Sequence, residues 1–316
     1  KACFALSQRI PHKLIMTGTP ILNTPLDVFG QYRLLHPGIF GLSWYRFRAR
    51  YAVMGGFMNK QVVTYINMKE LRQKVESCSH IRTKAECLDL PDKTFQTIKL
   101  DLPPAQRAMY KQLADSFIAE FRNTTVTAPI VITRLMRFSQ ITAGFWKDVE
   151  EKEHAFETNP KIDWLIEWCK DHDQKVVVFC RFIHEITSLE NALSKHQIQF
   201  VTVRGGVDDR LDRVQRFNND PATRVFIGQL QVAGQGLTLT AAAYTVFLSN
   251  DYSYGRRLQA EDRIHRISQT RNCTYIDIVY RQTIDEQLLK VLEKKESLAE
   301  VIMRQPIEQL IGGADA

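Results

Sequence analysis

From residue 175 onward, apolar and polar positions follow two alternating rhythms. Short apolar runs at 175–180, 199–203, 223–227, 244–249 and 273–280 have strand length. Between them, 183–196, 208–218, 255–267 and 284–303 carry apolar residues at helical spacing. Asp208 or Asp209 stands where the second of these helices needs an N-cap, and the last helix contains no Gly or Pro. Apolar strands separated by helices of this length predict an α/β fold, a parallel sheet with helices on both faces. Ligands of such sheets sit at the carboxyl ends of the strands, here residues 228–236 and 250–255.

The first 150 residues follow another pattern. Residues 13–16 read as a short strand ending in Thr17-Gly18-Thr19-Pro20. A mostly helical region follows, rich in aromatics between Phe40 and Phe57 and in cations at Arg46, Arg48 and Arg50. Residues 94–102 alternate like a strand, Pro103-Pro104 breaks the chain, and 105–121 and 130–144 have helical period, separated by a polar, β-branched gap at 123–129. Residues 150–157 are acidic and read as a solvated linker. No internal repeat interrupts this order.

Composition narrows the class without naming it. Hydrophobic residues make up 44% and charged residues 24% of the 316, values of an ordinary globular protein. No apolar stretch approaches the roughly 18 residues of a membrane span, so no membrane partner is expected. The chain opens on Lys1, its first residues read as the inside of a helix, and no signal-peptide pattern is present; we expect a fragment. Six cysteines form no Cys-x-x-Cys pair, which argues against a zinc site or a disulfide framework and suits a reducing cytoplasm. The net charge of +7 suits a polyanionic partner but does not specify one.

Three segments carry candidate chemistry. In the predicted helix at 255–267, Gln259, Arg263 and Arg266 fall at i, i+4 and i+7 in one stripe, beside a second, apolar stripe of Ala260, Ile264 and Ile267. Two guanidiniums so close repel each other unless an anion sits before them, and a nucleotide γ-phosphate would supply one through bidentate contacts. The alternative is a solvated helix in which Asp262 pairs with Arg266, worth about 0.3–0.5 kcal/mol. Residues 228–240 place Gly228, Gly234 and Gly236 after a strand, where free backbone N–H groups can meet a phosphate. The alternative there is a tight turn between packed elements, and no Gly-Lys-[Ser/Thr] phosphate loop occurs anywhere in the chain. Thr17, Gly18 and Thr19 put small hydroxylated residues at a strand end, which suits a loop that senses a neighbouring group or a plain turn.

In this order the segments resemble the motor of helicase superfamily two, in its Swi/Snf-type branch. Residues 14–23 (LIMTGTPILN) resemble motif III, 175–182 (KVVVFCRF) motif IV, 228–240 motif V, and 259–269 motif VI, whose family pattern is Q-A-x-x-R-x-H-R-x-G-Q. Leu90-Pro91-Asp92-Lys93, with Gln106 and Tyr110 beyond it, resembles the stretch between the two motor lobes. The resemblance implies two RecA-like, P-loop NTPase-like lobes that clamp ATP and magnesium and step along double-stranded DNA without unwinding it. It implies that the phosphate-holding half is absent and that what remains divides at 1–102 (tail of lobe one with a helical protrusion), 103–157 (linker and helical insertion) and 158–316 (lobe two). Arg263 and Arg266 would be arginine fingers, with Gln259 positioning the transferred group. Gly234, Gly236, Thr17, Gly18 and Thr19 would bind ATP or couple the lobes, and Arg181, Arg204 and Thr238 would touch the DNA backbone. A monomeric, cytoplasmic motor with compact, bacterial- or phage-like insertions is expected.

Three departures from the family pattern stand out. Ser268 replaces a Gly, Thr238 stands where Asn is frequent, and Asp251-Tyr252-Ser253-Tyr254 replaces an aspartate and a Trp-Asn-Pro. The alternative function is a non-catalytic nucleic-acid-binding or regulatory module that keeps the fold. A dinucleotide enzyme is disfavoured because no Gly-x-Gly-x-x-Gly follows the first regular strand.

Overall fold

The computed structural model describes residues 2–18, 20–21, 24–55, 61–82, 84–123, 128–233, 236–294 and 311. They form two compact units, Lys1–Cys87 and Leu88–Ala316.

The first unit contains α1 (Ala2–Ser7), a 3-10 turn at Pro25–Asp27, α2 (Val28–Leu35), α3 (Pro37–Phe40) and α4 (Trp44–Tyr51), then the antiparallel pair β1 (Ala52–Gly55) and β2 (Gln61–Tyr65), α5 (Met68–Glu76) and α6 (Lys84–Cys87). Its aromatic excess is its core. Phe29, Phe47 and Tyr51 are buried, with Phe47 4.9 Å from each of the other two rings. Ser43 starts α4 by accepting the Arg46 amide on its hydroxyl, 3.4 Å away. The strand predicted at 13–16 does not form: among the described residues the only sheet of this unit is β1–β2. Leu14 and Met16 are more than four-fifths exposed. A strand needs a neighbour to take its backbone groups, and none of the described residues supplies one.

The second unit runs β3 (Lys93–Leu100), α7 (Pro104–Asn123), α8 (Ala128–Thr142), β4 (Phe145–Lys147), β5 (Glu153–Ala155), α9 (Pro160–Asp171), β6 (Val176–Cys180), α10 (Ile183–Lys195), β7 (Phe200–Val203), α11 (Arg210–Asn219), β8 (Val225–Gln229), α12 (Leu230–Ala233), β9 (Tyr244–Phe247), α13 (Tyr254–Glu261), β10 (Cys273–Tyr280) and α14 (Ile284–Lys294). Six strands form one parallel sheet in the order β3-β10-β9-β6-β8-β7. Alternate residues of β6 face opposite cores. Val176, Val178 and Cys180 pack with α9 and α10, while Val177 and Phe179 pack with Phe217 of α11 and Ala260 of α13. All five β6 residues are fully buried, and burying a side chain of Val or Phe size contributes about 1.5–3 kcal/mol. Gly228 is required in β8, because a Cβ there would lie 2.8 Å from the Phe179 ring.

The structure departs from the expected segmentation at two places. The strand expected at 94–102, assigned to the tail of lobe one, is β3 and pairs along its whole length with β10, so the unit boundary falls at 87/88 rather than 102. The linker expected at 150–157 contains β5, which pairs with β4 as a hairpin. The stretch of the last helix expected at 295–303 lies outside the described residues.

A third core joins α7, α8 and α14 through Phe117, Leu135, Phe138 and Ile284. Tyr110 fastens it: its hydroxyl donates to the Ile311 carbonyl and accepts the Ile284 amide, each at 2.7 Å. Tyr110→Phe leaves both buried backbone groups unpaired and should lower unfolding stability by about 1–3 kcal/mol. An unchanged urea midpoint would show that this bond is not structural.

Candidate functional site

The segment bearing Arg263 and Arg266 is not one helix. Ser253 caps α13 by accepting the Arg256 amide at 3.3 Å, and α13 ends at Glu261. Residues 262–268 follow as turns and bends. The helix stops because its next carbonyls are taken elsewhere. The Arg263 carbonyl accepts the Leu239 amide at 2.9 Å, and the Ile264 carbonyl accepts from Gln269 Nε2 at 3.1 Å. The two predicted stripes are corrected accordingly. Ala260 and Ile264 are buried, but Ile267 is 79% exposed. Gln259, half-buried, lies on the last turn of α13, and the two arginines lie beyond its end.

What unites the arginines is a ladder to the glycine-bearing segment. Arg263 Nη1 donates to the Leu237 carbonyl at 3.3 Å, and Arg266 Nη1 to the Thr238 hydroxyl at 2.9 Å. Thr240 and Ser268 hydroxyls meet at 2.9 Å, so the serine that departs from the family pattern makes a cross-link. Gln269 Nε2 also donates to the carbonyls of Thr240, at 3.3 Å, and Ala242, at 2.8 Å. Gly236 begins this stretch with φ +69°, a conformation that favours glycine. Gly234 lies outside the described residues.

Arg263 is only 5% exposed. Burial first, and the neighbouring Arg266 second, push its guanidinium down to about 10. Arg266 is half-buried and donates through Nε to the Asp262 main-chain carbonyl at 3.0 Å. The side chain of Asp262 stands 3.8 Å from Lys93 Nζ. Two cations are thus held next to each other, one largely out of water.

The foundation of this site forms no single pattern in the sequence. Arg257 of α13 is buried, donating to both carboxylate oxygens of Asp277 in β10, to Glu261 Oε1 at 3.0 Å and to Asn250 Oδ1 at 2.9 Å, with its carbon 3.5 Å from the Phe247 ring centroid. Burial works against its charge, but Asp277 and Glu261 outweigh it and raise its pKa. An aspartate inside the apolar strand Cys273–Tyr280 is the available signal, since a buried carboxylate requires a partner. The Leu90–Lys93 stretch also belongs to this foundation. The Pro91 carbonyl lies 2.9 Å from His265 Nε2, and Lys93 Nζ is 3.3 Å from Glu261.

The other candidates are distributed. Arg181 follows β6 at its carboxyl end; its amide donates to Ser249 Oγ at 2.8 Å, and its guanidinium lies over the rings of Phe182 and Tyr252. Arg204 follows β7, half-exposed, with Nη1 3.5 Å from the Thr187 hydroxyl. Thr238 spends its hydroxyl on Arg266. Thr17 and Gly18 are exposed in the first unit, and Thr19 lies outside the described residues. Beneath Arg181, Glu185 is fully buried and accepts from the Ser249 hydroxyl at 2.5 Å, while Lys161 donates to Asp285 at 2.7 Å and to the Leu248 carbonyl at 2.8 Å. Burial pushes the Glu185 carboxyl up to about 7.

A parallel six-stranded sheet with helices on both faces, carrying this arginine pair bonded to a loop beyond β8, has the RecA-like α/β fold. The helicase conserved C-terminal domain matches residues 160–268, and the SNF2-related domain matches residues 1–148. The chain is similar to Swi2/Snf2-type ATPase cores. It is 29% identical over 308 residues to the mouse DNA annealing helicase and endonuclease ZRANB3, covering 93% of this chain and 27% of that protein. It is 27% identical to the rice DNA excision repair protein CSB, covering 93% and 26%. The chain therefore spans about a quarter of the length of these relatives. Among solved structures, the Sulfolobus solfataricus SWI2/SNF2 ATPase core in complex with dsDNA is 25% identical with a TM-score of 0.58, covering 95% of this chain and 66% of that one. The C-terminal part of the Fun30 ATPase domain, 17% identical with a TM-score of 0.57 over 66% of this chain and 92% of that one, shares the fold.

The buried Glu185 predicts a pH dependence of stability. Its folded pKa lies above the ordinary value of 4.5, so the folded state binds a proton that the unfolded state releases between about pH 4.5 and 7. The contribution is fully present below 4.5 and is lost as pH rises to 7, at no more than about 1.4 kcal/mol per pH unit. Glu185→Gln should flatten the decline over that window in urea unfolding; an identical slope in the variant would refute the assignment.

Proposed function

We propose that this chain is the second motor lobe, with the tail of the first, of an ATP-dependent double-stranded-DNA translocase, and that Arg263 and Arg266 act as its arginine fingers. The observation carrying this reading is the ladder between residues 237–242 and 263–269, which holds two guanidiniums beside the Gly236 turn. A cation pair of this kind is unfavourable by itself, and an anion before it removes the conflict. The depressed Arg263 pKa fits such an anion site.

ATP, when bound, supplies the phosphoryl group, and magnesium neutralises charge on its phosphates. Among the described residues no cluster of three or more His, Cys, Asp or Glu could hold a metal, and the chain has no Gly-Lys-[Ser/Thr] loop. This reading assigns the groups that grip the phosphates and magnesium to the first lobe of the motor, as the family resemblance implies. The residues here act on the γ-phosphate alone. Arg266 donates from a position set by Thr238 and Asp262, and Arg263 adds a second charge from the buried side. Gln259 orients the group between them. Arg181 and Arg204, both following strand carboxyl ends, contact the DNA backbone. Thr238 ties that side of the site to Arg266, so its role is coupling more than DNA contact. The Sulfolobus solfataricus ATPase core solved in complex with dsDNA supports a duplex partner.

The 316-residue chain alone should hydrolyse ATP at background rate. In the protein that includes the phosphate-holding lobe, Arg266→Ala should keep ATP binding and lose about 10³–10⁵ in turnover, roughly 4–7 kcal/mol of barrier. Arg266→Lys should recover little, because one ammonium cannot copy the guanidinium fork. Robust turnover by the Ala variant, or by the chain alone, would sink this reading.

A further inference from the structure

The net positive charge of this chain is confined to its first unit. Residues 1–87 contain 13 Lys and Arg against 4 Asp and Glu, whereas residues 88–316 contain 29 against 31. The net positive charge therefore lies outside the unit that carries the arginine pair.

Within the first unit, α4 concentrates this charge. Its sequence, WYRFRARY, has three arginines and no acid. Phe47 and Tyr51 turn into the aromatic core, which fixes the helix's rotation. The opposite side then presents Tyr45, Arg46 and Ala49, flanked by Arg48 and Arg50. Tyr45 is 74% exposed, and the Arg48 guanidinium lies 5.6 Å from its ring centroid. Arg50 is occupied by Glu70, at 2.6 Å. Among the described residues no carboxylate pairs with Arg46 or Arg48. The same helix thus spends one arginine on the fold and leaves the exposed Arg46 and the half-buried Arg48 without a carboxylate beside an exposed ring.

We infer that the solvent face of α4, formed by Tyr45, Arg46 and Arg48, is a nucleic-acid contact that grips the phosphate backbone of duplex DNA. Guanidinium forks match phosphate oxygens, and the exposed Tyr45 ring keeps one guanidinium beside it on this face. The excess of nine positive charges over 87 residues favours a polyanion with dense, regular charge, which a duplex supplies at one negative charge per about 1.7 Å of axis. The proposal rests on the duplex-DNA part of the motor reading and adds a contact outside the RecA-like unit.

The test is fluorescence anisotropy of the 316-residue chain with a short labelled duplex across a salt series. Arg46→Ala with Arg48→Ala should weaken binding several-fold and reduce the slope of log affinity against log salt by about 2, close to 0.9 for each phosphate the two arginines neutralise. Arg46→Glu with Arg48→Glu should weaken it further. Both are surface changes, so the unfolding midpoint should stay where it was. A slope unchanged by the double substitution overturns the proposal, as does absence of duplex binding by the unaltered chain at low salt. Displacement of the duplex by polyglutamate at equal charge would overturn it in favour of an acidic protein partner. If Arg266→Ala fails to impair hydrolysis while the slope still drops, the motor reading falls and this surface stands. If hydrolysis depends on Arg266 and the slope does not move, the surface alone falls.

Discussion

Two like charges held side by side, one of them buried, are the constraint on which the second unit is organised. Removing a guanidinium from water is unfavourable, and placing another beside it adds repulsion. The fold offsets this with main-chain carbonyls: Leu237 receives Arg263, and Asp262 receives Arg266. Hydrogen bonds between residues 237–242 and 263–269 then lock both arginines in place, so neither can relieve the repulsion by swinging away. A site whose charge cannot reorganise is the kind that stabilises developing negative charge most effectively.

That ladder would be of little use if it floated on the sheet. The Arg257, Asp277, Glu261 and Asn250 cluster fixes α13 across β10 and the end of β9, and Lys93 and Pro91 clamp it from the start of β3. A buried ion cluster is a weak source of stability, because desolvation opposes the Coulomb gain. Its value lies in geometry. An apolar replacement could pack as well, yet it would not specify the rotation of α13 that sets where Arg263 and Arg266 emerge.

The central strands are legible in the sequence because both their faces are buried: 175–180, 199–203 and 273–280 read as apolar runs for that reason. The expected and observed ends of β10 coincide. What the sequence hides depends on contacts distant along the chain. Residues 255–267 have helical periodicity, but the carbonyl of Arg263 is claimed by Leu239, and local propensity cannot register a competitor outside its window. β3 reads as a strand, yet nothing local assigns it to the right unit, since its register with β10 links residues about 180 positions apart. Arg263 and Arg266 stand out through their spacing and their resemblance to a family motif. Asp277 is visible only as an acid inside an apolar strand, and nothing in the sequence names Arg257 as its partner.

The separation of charge between the units bears on how such a protein would divide its labour. In a unit with slightly more acids than bases, the arginine pair has only hydrogen bonds and short-range charge to attract an anion, and both of these depend on geometry. The excess on the first unit acts through water over a Debye length of about 8–10 Å and does not depend on fine geometry. Salt screens the second kind of interaction far more than the first, because the buried guanidinium has little solvent around it. Had the cations of the first unit been spread evenly over both, a free polyanion would compete for the arginine pair. Concentrating them on the first unit leaves the surroundings of the arginine pair close to neutral, so a polyanion has little long-range attraction to that pair.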